Sequence, residues 1–518
     1  MRVFVGPIRA IAILIGIVAA GATVQVHAAG DALVRNLTSG RDHASLQDAL
    51  SAARGGDRLE VEGGPIVGNF VIDRPLTLVG ISAGDEPPVL DGGGKGTVLT
   101  ITSPNVAVEN IALTHSGTTS NLFWFWGDAG VHVKADAVSL RKLHVYGNDW
   151  GILMFGGRGS TVEDSLVEDN LREGIKVMGG REHRLSRNTV LRNSNGIVVD
   201  VLHSMQESPL ARLNDPKAVA DLAADTKKAQ RSEDVMIADN HVRGNGTFGI
   251  SVTWHSRRII VENNDVHLTG IERKPNLEAI AAVEHTITAG LAGKSEAIVK
   301  RENIGTGIYL FCLVEDSIVR GNDSHDNFGA GIGLDTVDRN SVVSNITRTN
   351  QIGVYIISSN ENVIERNQVT DNTEFGIRIG GENPLTKAAA NNLVALNDLT
   401  GNKVNAFDSS SRTLTADDMA GVIDALPYPE AVKEQLRRNP AMRTEILKSY
   451  LAVLKPASNR WDNGTHGNRH DDFDEEAEGF ADRNGDGISE AAKPIQGGSS
   501  VDRHPLSEAL VADLRTTP

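Results

Sequence analysis

Residues suited to proton transfer and charge neutralisation recur at fixed places in this chain of 518 residues. A Lys or Arg can neutralise a carboxylate on a sugar ring and make the neighbouring C5 proton more acidic, and a Tyr or His can then remove and return protons. Such a set favours β-elimination or epimerisation of a uronate polymer, whereas paired aspartates favour glycoside hydrolysis. The catalytic candidates are Lys176, Asp200, His203, His255, Tyr309 and Asp335, and the substrate-binding candidates are Lys134, Tyr355 and Arg378.

Most of these candidates come two or four residues after a recurring Gly that is followed by an aliphatic residue, a pair called a Gly-aliphatic step. The structure around this step must therefore position them. Apart from two long gaps, successive steps are 21, 23, 22, 24, 22 and 23 residues apart. A fixed period with Gly, an aliphatic residue and Asn in register indicates stacked coils that bury their inward side chains against each other. The steps begin at Gly130, Gly151, Gly174, Gly196, Gly249, Gly307, Gly331, Gly353 and Gly376, and the preceding asparagines are Asn148, Asn170, Asn193, Asn245, Asn303, Asn327, Asn350 and Asn372.

Each repeat holds three short strand patterns, exemplified by Gly151–Phe155, Ser341–Asn345 and Gln368–Asn372. Alternation with period two sends the aliphatic residues inward and the residues between them outward. The sequence therefore predicts an all-β solenoid, a parallel β-helix, with asparagine ladders at its turns and glycines where the corners need unusual torsions. Coils about 4.8 Å apart would arrange the candidates as a ladder along an extended polymer. The alternative is that this polar ladder is only a solvated surface.

Helical patterns mark the start of the solenoid and the breaks in its period. Ser45 is a suitable N-cap for an amphipathic segment that ends at Ala53, and a helix there would cover the open end of the core. Helical insertions are predicted at about 205–232 and 273–303, and a longer helical segment at 412–456. Inserted segments often project from the binding face, so the first two insertions, on consecutive coils, are candidates for a wall or lid over one groove. The alternatives are packing on the flank and contact with a protein partner.

The ends of the chain predict export. Arg2 and Arg9 precede the apolar run Ala10–Ala20, and Val26–Ala28 offers a small-residue cleavage site, so we expect 1–28 to be a signal peptide and the protein to be periplasmic or secreted. No other segment approaches the length of a membrane span. The formal charge is −16, and cleavage would make it more negative, which argues against nucleic acid as a partner. We expect residues 29–95 to form the cap and first coils, 96–411 the β-helix core and 457–518 an acidic tail.

The tail holds the best candidate for a metal site. Alternating oxygen side chains before a Gly turn can wrap Ca²⁺, and the predicted ligands are Asp482, Asn484, Asp486, the Ile488 carbonyl and Glu490. The bidentate Glu expected three residues after Glu490 is replaced by Lys493. The alternative is an acidic turn stabilised by its own hydrogen bonds.

Copper has weak support in the sequence. Soft Cu(I) prefers Met or Cys ligands and Cu(II) prefers His, yet no Met-x-x-Met or His-x-His motif is present. His466 and His470 lie four residues apart beside Asp471 and Asp472, a pattern that an exposed acidic turn explains equally well. The single cysteine, Cys312, lies in an apolar strand and is expected to be a packed core residue.

Two regions carry a family resemblance. They are the opening, with Ala49–Asp57, Leu76–Gly80 and Pro88–Gly92, and the tail, with Asn459–Asp462, Asp482–Ile488 and Gly497–Leu506. With the repeats, they make the chain resemble the right-handed parallel β-helix superfamily of carbohydrate-binding and sugar-hydrolysing proteins. Within it, the chain is similar to the periplasmic copper-associated (NosD-like) accessory proteins of nitrous oxide reductase maturation. Asp200-Val-Leu-His203 also resembles the Asp-Pro-His motif of alginate C5-epimerases, without its Pro.

The resemblance implies a right-handed parallel β-helix, and the helical patterns of this chain add an N-terminal capping helix and three helical insertions. It leaves two functions open. The first is an exported enzyme, a lyase, epimerase or hydrolase, that binds and modifies a polysaccharide along the solenoid groove. The second is a non-catalytic NosD-like accessory or metal-related binding protein. Aromatic residues are only 4% of the chain, which limits sugar stacking and keeps the second function open. The residue types on the predicted ladder favour the first.

Overall fold

The computed structural model describes residues 30–82, 84, 86–118, 127–202, 230–274, 304–380, 388–412, 423, 430–440 and 456–516. Within these residues the chain forms a parallel β-helix of three sheets, and each coil contributes one strand to sheets A, B and C in turn. Nearly all neighbouring strands are parallel and one coil apart in sequence. The predicted solenoid is therefore confirmed. The predicted signal peptide and most of the predicted helical insertions lie outside the described residues.

Sheet A has 14 strands, of which the second in spatial order, Gly30–Asn36, runs antiparallel to both of its neighbours. In spatial order they are Arg41–His43, Gly30–Asn36, Asp57–Gly64, Leu76–Ile81, Ala107–Glu109, Ser139–Arg141, Thr161–Glu163, Arg184–Ser186, Met236–Ala238, Ile260–Glu262, Ile318–Arg320, Ser341–Val343, Val363–Glu365 and Leu393–Ala395.

Sheet B has 13 strands. They are Ile66–Val67, Val89–Asp91, Ala112–Thr114, His144–Tyr146, Leu166–Glu168, Thr189–Leu191, His241–Arg243, Asp265–His267, Asp323–His325, Ile346–Arg348, Gln368–Thr370, Asp398–Thr400 and Arg469–His470.

Sheet C has 12 strands and contains the Gly-aliphatic steps. They are Phe70–Ile72, Leu99–Ile101, Ala129–Val133, Trp150–Phe155, Glu173–Met178, Asn195–Asp200, Phe248–Thr253, Thr306–Phe311, Ala330–Asp335, Ile352–Ile357, Phe375–Ile379 and Val404–Asp408.

Three helices and a hairpin complete the secondary structure of the described residues. The helices are Leu46–Ala52, Glu430–Arg438 and Glu508–Thr516, with one 3-10 turn at Glu476–Glu478 and the antiparallel strands Lys493–Pro494 and Val501–Asp502. Ser45 caps the first helix, since its side chain accepts the Asp48 amide. Leu46, Ala49 and Leu50 are buried in the solenoid core, so this helix covers the open end as expected.

The repeated glycines are required by close approach rather than by unusual torsions. A Cβ at Gly151 would lie 2.3 Å from the carbonyl oxygen of Gly174 on the next coil, and one at Gly196 would meet Gly249 in the same way. The left-handed torsions lie instead at other corner residues, such as Ser344 and Thr349, and at corner glycines outside the repeated step, such as Gly321 and Gly401. The expectation that the repeated glycines serve corner torsions is therefore wrong: they allow adjacent coils to stack.

Asparagine ladders connect the coils at the turns, as predicted. The amide N–H of Asn170 donates to Asn193 Oδ1 at 3.1 Å, and Asn170 Nδ2 donates to the same oxygen at 2.9 Å. The bonds repeat along the stack, which satisfies polar groups that would otherwise be buried without partners. Asn303 lies outside the described residues, and Thr269 occupies the matching turn, where its amide donates to Asn327 Oδ1.

Candidate functional site

The outward side of sheet C, called the sheet C face here, carries most of the predicted site residues. Parallel register sets Tyr309, Gly333, Tyr355 and Arg378 side by side on four successive coils. The carboxyl ends of the same strands carry further polar residues, including Asp335. The ladder predicted from the sequence is therefore present, but most of its side chains are buried.

Lys176 lies between two carboxylates at one part of this face. Its Nζ atom is 3.6 Å from Glu173 Oε1 and 3.5 Å from Asp200 Oδ2. The exposed fractions of the Lys176, Glu173 and Asp200 side chains are only 4%, 9% and 10%. The ammonium also lies 5.0 Å from the centre of the Trp150 ring. Burying such charges is costly unless they are paired, so each of the three depends on the others.

Tyr309 and Asp335 form a second polar pair. The Tyr309 hydroxyl donates to Asp335 Oδ2 at 3.1 Å, and Asp335 Oδ1 accepts the Thr336 hydroxyl at 2.9 Å. The Tyr309 ring is stacked with Phe248 at a centroid distance of 4.7 Å. Gly333 makes room for this ring, because a Cβ there would lie 2.9 Å from it. The hydroxyl is thus held in one orientation beside a carboxylate that can accept a proton.

Tyr355 and Arg378 form a third group. The Arg378 guanidinium lies 5.4 Å from the centre of the Tyr355 ring and 5.1 Å from that of Phe375, within the range of cation–π attraction. Both Tyr355 and Arg378 are buried, and both have further interactions besides these. Arg378 supplies a second positive charge to the sheet C face.

The remaining predicted residues are less closely associated. His255 is half-buried in a left-handed conformation just after the strand Phe248–Thr253, and its amide donates to the Cys312 carbonyl at 3.0 Å. Lys134 is exposed just beyond the strand Ala129–Val133. His203 lies outside the described residues, so its predicted position beside Asp200 remains a prediction.

The pKa of Cys312 is affected by two of the carboxylates of the sheet C face. Burial, together with the charges of Asp335 and Asp200, raises the pKa of the Cys312 thiol to about 12. Both carboxylates therefore act on the same part of the sheet C face. Cys312 is buried beside Tyr309 and Phe311, as expected for a packed thiol.

His132 is a buried histidine of this face to which the sequence assigned no role. Burial lowers its pKa to about 3, and the charge of Lys134 acts in the same direction. Its ring contacts Phe155 edge-on at 4.6 Å. Its Nε2 atom has no hydrogen-bond partner in the part of the chain that the structure describes. The outward position two residues after Gly130 was visible in the sequence, but its burial was not.

The acidic tail loop is held by its own carboxylates. Asp482 accepts the amides of Gly485, Asp486 and Gly487, and Asp486 accepts that of Ile488. Asp482 Oδ1 accepts two of these amides, whereas Asp482 Oδ2 and Asp486 Oδ1 accept one backbone amide each and keep a lone pair for a cation. Asn484 Oδ1 accepts the Asp486 amide, and Glu490 accepts that of Arg483. The predicted oxygens therefore belong to one turn, which the hydrogen bonds alone can stabilise.

The second metal candidate of the tail is His466 and His470 with the adjacent aspartates, and its side chains bond to different partners. His470 is fully buried and faces Asp502 Oδ2 at 3.1 Å. His466 instead bonds the Thr465 hydroxyl, and Asp471 accepts the Gly401 amide. The geometry of these residues serves to fasten the tail to the last coil.

No helix among the described residues is long and apolar enough to cross a membrane.

Comparison with known proteins finds two kinds of relative. A family model described as a right-handed β-helix region matches residues 91–208 and 229–399. The chain is 36% identical over 124 residues to the probable ABC transporter binding protein NosD of Pseudomonas aeruginosa, covering 23% of this chain and 27% of NosD. It is 24% identical over 254 residues to a mannuronan C5-epimerase of Pseudomonas putida, covering 47% of this chain and 41% of the epimerase. Each alignment thus spans less than half of the curated relative.

The chain is also similar to a solved structure. The A-module of the mannuronan C-5 epimerase AlgE4 of Azotobacter vinelandii matches with a TM-score of 0.46 and 14% identity, over 69% of this chain and 89% of the module.

Proposed function

Because the chain belongs to the right-handed β-helix family, we propose that its sheet C face binds an extended polysaccharide and modifies it, with a uronate polymer as the substrate. The observation that carries this proposal is the alignment of cationic, phenolic and carboxylate side chains on successive coils of one sheet. The similarity of part of the chain to a mannuronan C5-epimerase supports the same substrate class.

The Tyr309–Asp335 pair is the preferred reaction centre. Its hydroxyl is oriented by the carboxylate and can exchange a proton with the substrate. Lys176 and Arg378 lie three coils before and three coils after Tyr309, which is about 14 Å in each direction. In this arrangement the two cations bind uronate carboxylates on either side of the reacting sugar, and Tyr355 packs beside the second of them. Lys134 adds an exposed cation near the start of the face.

Asp200 with His203 and His255 is the second candidate centre. The strand of Asp200 pairs with the strand that precedes His255, so the two residues belong to adjacent coils. An aspartate and a histidine can act as an acid and base pair on opposite sides of a sugar ring. In either centre, burial of the side chains means that the polymer reaches them only when the groups that cover them move.

The first experiment measures the activity of the purified protein on a panel of uronate polymers. Ultraviolet absorbance reports the unsaturated product of elimination, and incorporation of solvent deuterium at C5 reports epimerisation. We expect Tyr309→Phe to lower the rate by about 100-fold or more, since proton transfer by one side chain contributes on that scale. Tyr146→Phe on sheet B is the matched control and should keep wild-type activity. Equal rates for the two variants would exclude Tyr309 from the reaction.

A second candidate function is that of a non-catalytic accessory protein. The observation that favours it is the mutual pairing of buried charges at Lys176, Glu173 and Asp200, which leaves no need for a ligand to stabilise them. Partial similarity to NosD supports this function as well. A protein that is inactive on every polymer, and whose melting temperature no polymer changes, would favour it over the enzyme.

Export and a structural Ca²⁺ in the tail are two further parts of the proposal. The predicted cleavage after Ala28 is tested by sequencing the N-terminus of protein recovered from the periplasm or medium. The tail loop, with Asp482 and Asp486 as its main ligands, should bind Ca²⁺ and raise the melting temperature of the tail. Asp486→Asn should weaken this effect, and a melting temperature that is indifferent to Ca²⁺ would reduce the loop to a hydrogen-bonded turn.

A further inference from the structure

The outward side of sheet B carries a cluster of imidazole and carboxylate groups on three successive coils. Parallel register places His241 beside Asp265, and His267 beside His325. These residues are on a different sheet from the proposed polysaccharide site and take no part in it. These residues are hard to recognise as a cluster in the sequence, because the segment between residues 274 and 304 separates His267 from His325 in the chain.

The ring nitrogens and carboxylate oxygens of the cluster are as close together as the ligands of a single ion. His325 Nε2 lies 3.1 Å from Asp265 Oδ1 and 3.2 Å from His267 Nδ1, and His267 Nδ1 lies 3.9 Å from Asp265 Oδ1. His241 Nδ1 is 2.9 Å from Asp265 Oδ2. One ligand atom from each of His241, Asp265 and His267 lies within 4.8 Å of the other two. Around a tetrahedral Zn²⁺ with bonds of about 2.1 Å, the ligand atoms are about 3.4 Å apart.

The second ring nitrogen of His325 is held in the way expected of a metal ligand. Its Nδ1 atom is 2.6 Å from Asp326 Oδ2. When that nitrogen donates its hydrogen to Asp326, the neutral ring presents only a lone pair at Nε2. This lone pair faces Asp265 Oδ1, which is also an acceptor. A cation between the two atoms resolves the repulsion, and a carboxylate behind the histidine is the usual support of such a ligand.

Hydrogen bonds within the protein do not account for every polar atom here. His267 Nε2 is buried and has no partner among the described residues. Neighbouring carboxylates on this surface pair with arginines, as Asp323 does with Arg348, but the ion pairs of Asp265 within the described chain are with histidines alone. The exposed fractions of the Asp265 and His241 side chains, 44% and 42%, leave a path for an ion from solvent.

We propose that His241, Asp265, His267 and His325 bind one divalent ion of the late first-row transition series. Imidazole together with carboxylate suits such ions, whereas Ca²⁺ and Mg²⁺ prefer ligand sets made of oxygen. The ion would join three coils around the long insertion between residues 274 and 304.

Zn²⁺ is the probe for the test. The untagged protein is stripped with a chelator, dialysed and titrated with ZnCl₂ in a calorimeter, with Co²⁺ absorption as a second readout of tetrahedral geometry. We expect one Zn²⁺ per chain at this site, not displaced by excess Ca²⁺. Asp265→Asn and His325→Gln should each weaken binding by at least about 10-fold, and Asp326→Asn by about 10- to 100-fold, because support of a ligand histidine is worth that much.

His144→Gln is the matched control. His144 occupies the same column of sheet B three coils earlier and bonds Glu168 at 2.9 Å, outside the cluster. It should bind Zn²⁺ like the wild type. Circular dichroism checks that the near-isosteric variants remain folded. Absence of Zn²⁺ binding would overturn the proposal, and so would wild-type affinity in an Asp265→Asn, His325→Gln double variant.

Discussion

Replacing Lys176 with Met tests whether the sheet C face is built on a buried charge triad. Met keeps most of the volume of the side chain but removes the ammonium. Glu173 and Asp200 then remain almost fully buried, without the cation that lies 3.6 Å and 3.5 Å from them. The change therefore leaves two negative charges in an environment from which water is largely excluded.

The size of the effect follows from this burial. Removing one partner of a buried ion pair costs about 3–5 kcal/mol, because the remaining charge is left uncompensated. Loss of the cation–π contact with Trp150 acts in the same direction. We therefore expect the free energy of unfolding of Lys176→Met to fall by about 3–5 kcal/mol at neutral pH. Asp200→Asn in the same chain should restore part of the loss, since one of the two unpaired charges is then gone.

The assay is urea denaturation followed by circular dichroism, with Lys134→Met as the control. Lys134 is exposed two coils before Lys176, and its replacement should change stability by less than about 0.5 kcal/mol. Equal stability of Lys176→Met and Lys134→Met would refute the buried triad. Lys176→Met is expected to be destabilised. If it also loses all binding of uronate polymers, and the double variant with Asp200→Asn regains stability but not binding, then Lys176 both stabilises the fold and binds the substrate.

Three further predictions concern other buried groups. Asn322→Ala should lower the free energy of unfolding by about 3–5 kcal/mol, because the Asn264 amide and the Val261 carbonyl lose their buried partner. A free energy of unfolding, measured by urea denaturation, within about 1 kcal/mol of the wild type would contradict this. Cys312, with a pKa of about 12, should resist thiol reagents at pH 8 until the protein unfolds, and rapid labelling of the native protein would show that the thiol is accessible. His132 should remain neutral in the folded state down to acid pH, so its NMR shifts should not titrate near pH 6.5, its ordinary value. Because its folded pKa, about 3, lies below the unfolded value, acidification from pH 6.5 to 3 should remove up to about 5 kcal/mol of stability, and a flat stability profile across that range would refute this.

Much of the fold was predictable because each repeat shows its strands and turns in a short local pattern of residues. A strand such as Ser341–Val343 alternates with period two, and each turn closes on an Asn that the next coil repeats, so three strands and a ladder follow from local pattern. The cap at Ser45 and the packing of Cys312 were likewise visible in short segments.

The site was less predictable, because burial and adjacency depend on the whole stack. The positions of Tyr309 and Arg378 were expected, but their burial was not, since outward residues of a solenoid are exposed unless something covers them. The histidine cluster was missed because His267 and His325 become neighbours only when the coils on either side of the insertion are aligned. Aligning the segments Asp265–His267 and Asp323–His325 as equivalent strands would have revealed it.

The pairing of each strand with the strands one coil before and after it makes the coil a unit that can be gained or lost whole. Removal of residues 331–352 would join Ala330 to Gly353, and the next Gly-aliphatic step would occupy the place of the lost one. Loss of a single residue inside a strand would instead turn every later side chain of that strand to the opposite side. Genes for such proteins can therefore change in length by whole coils, and a column of binding residues becomes longer or shorter while its chemistry is preserved.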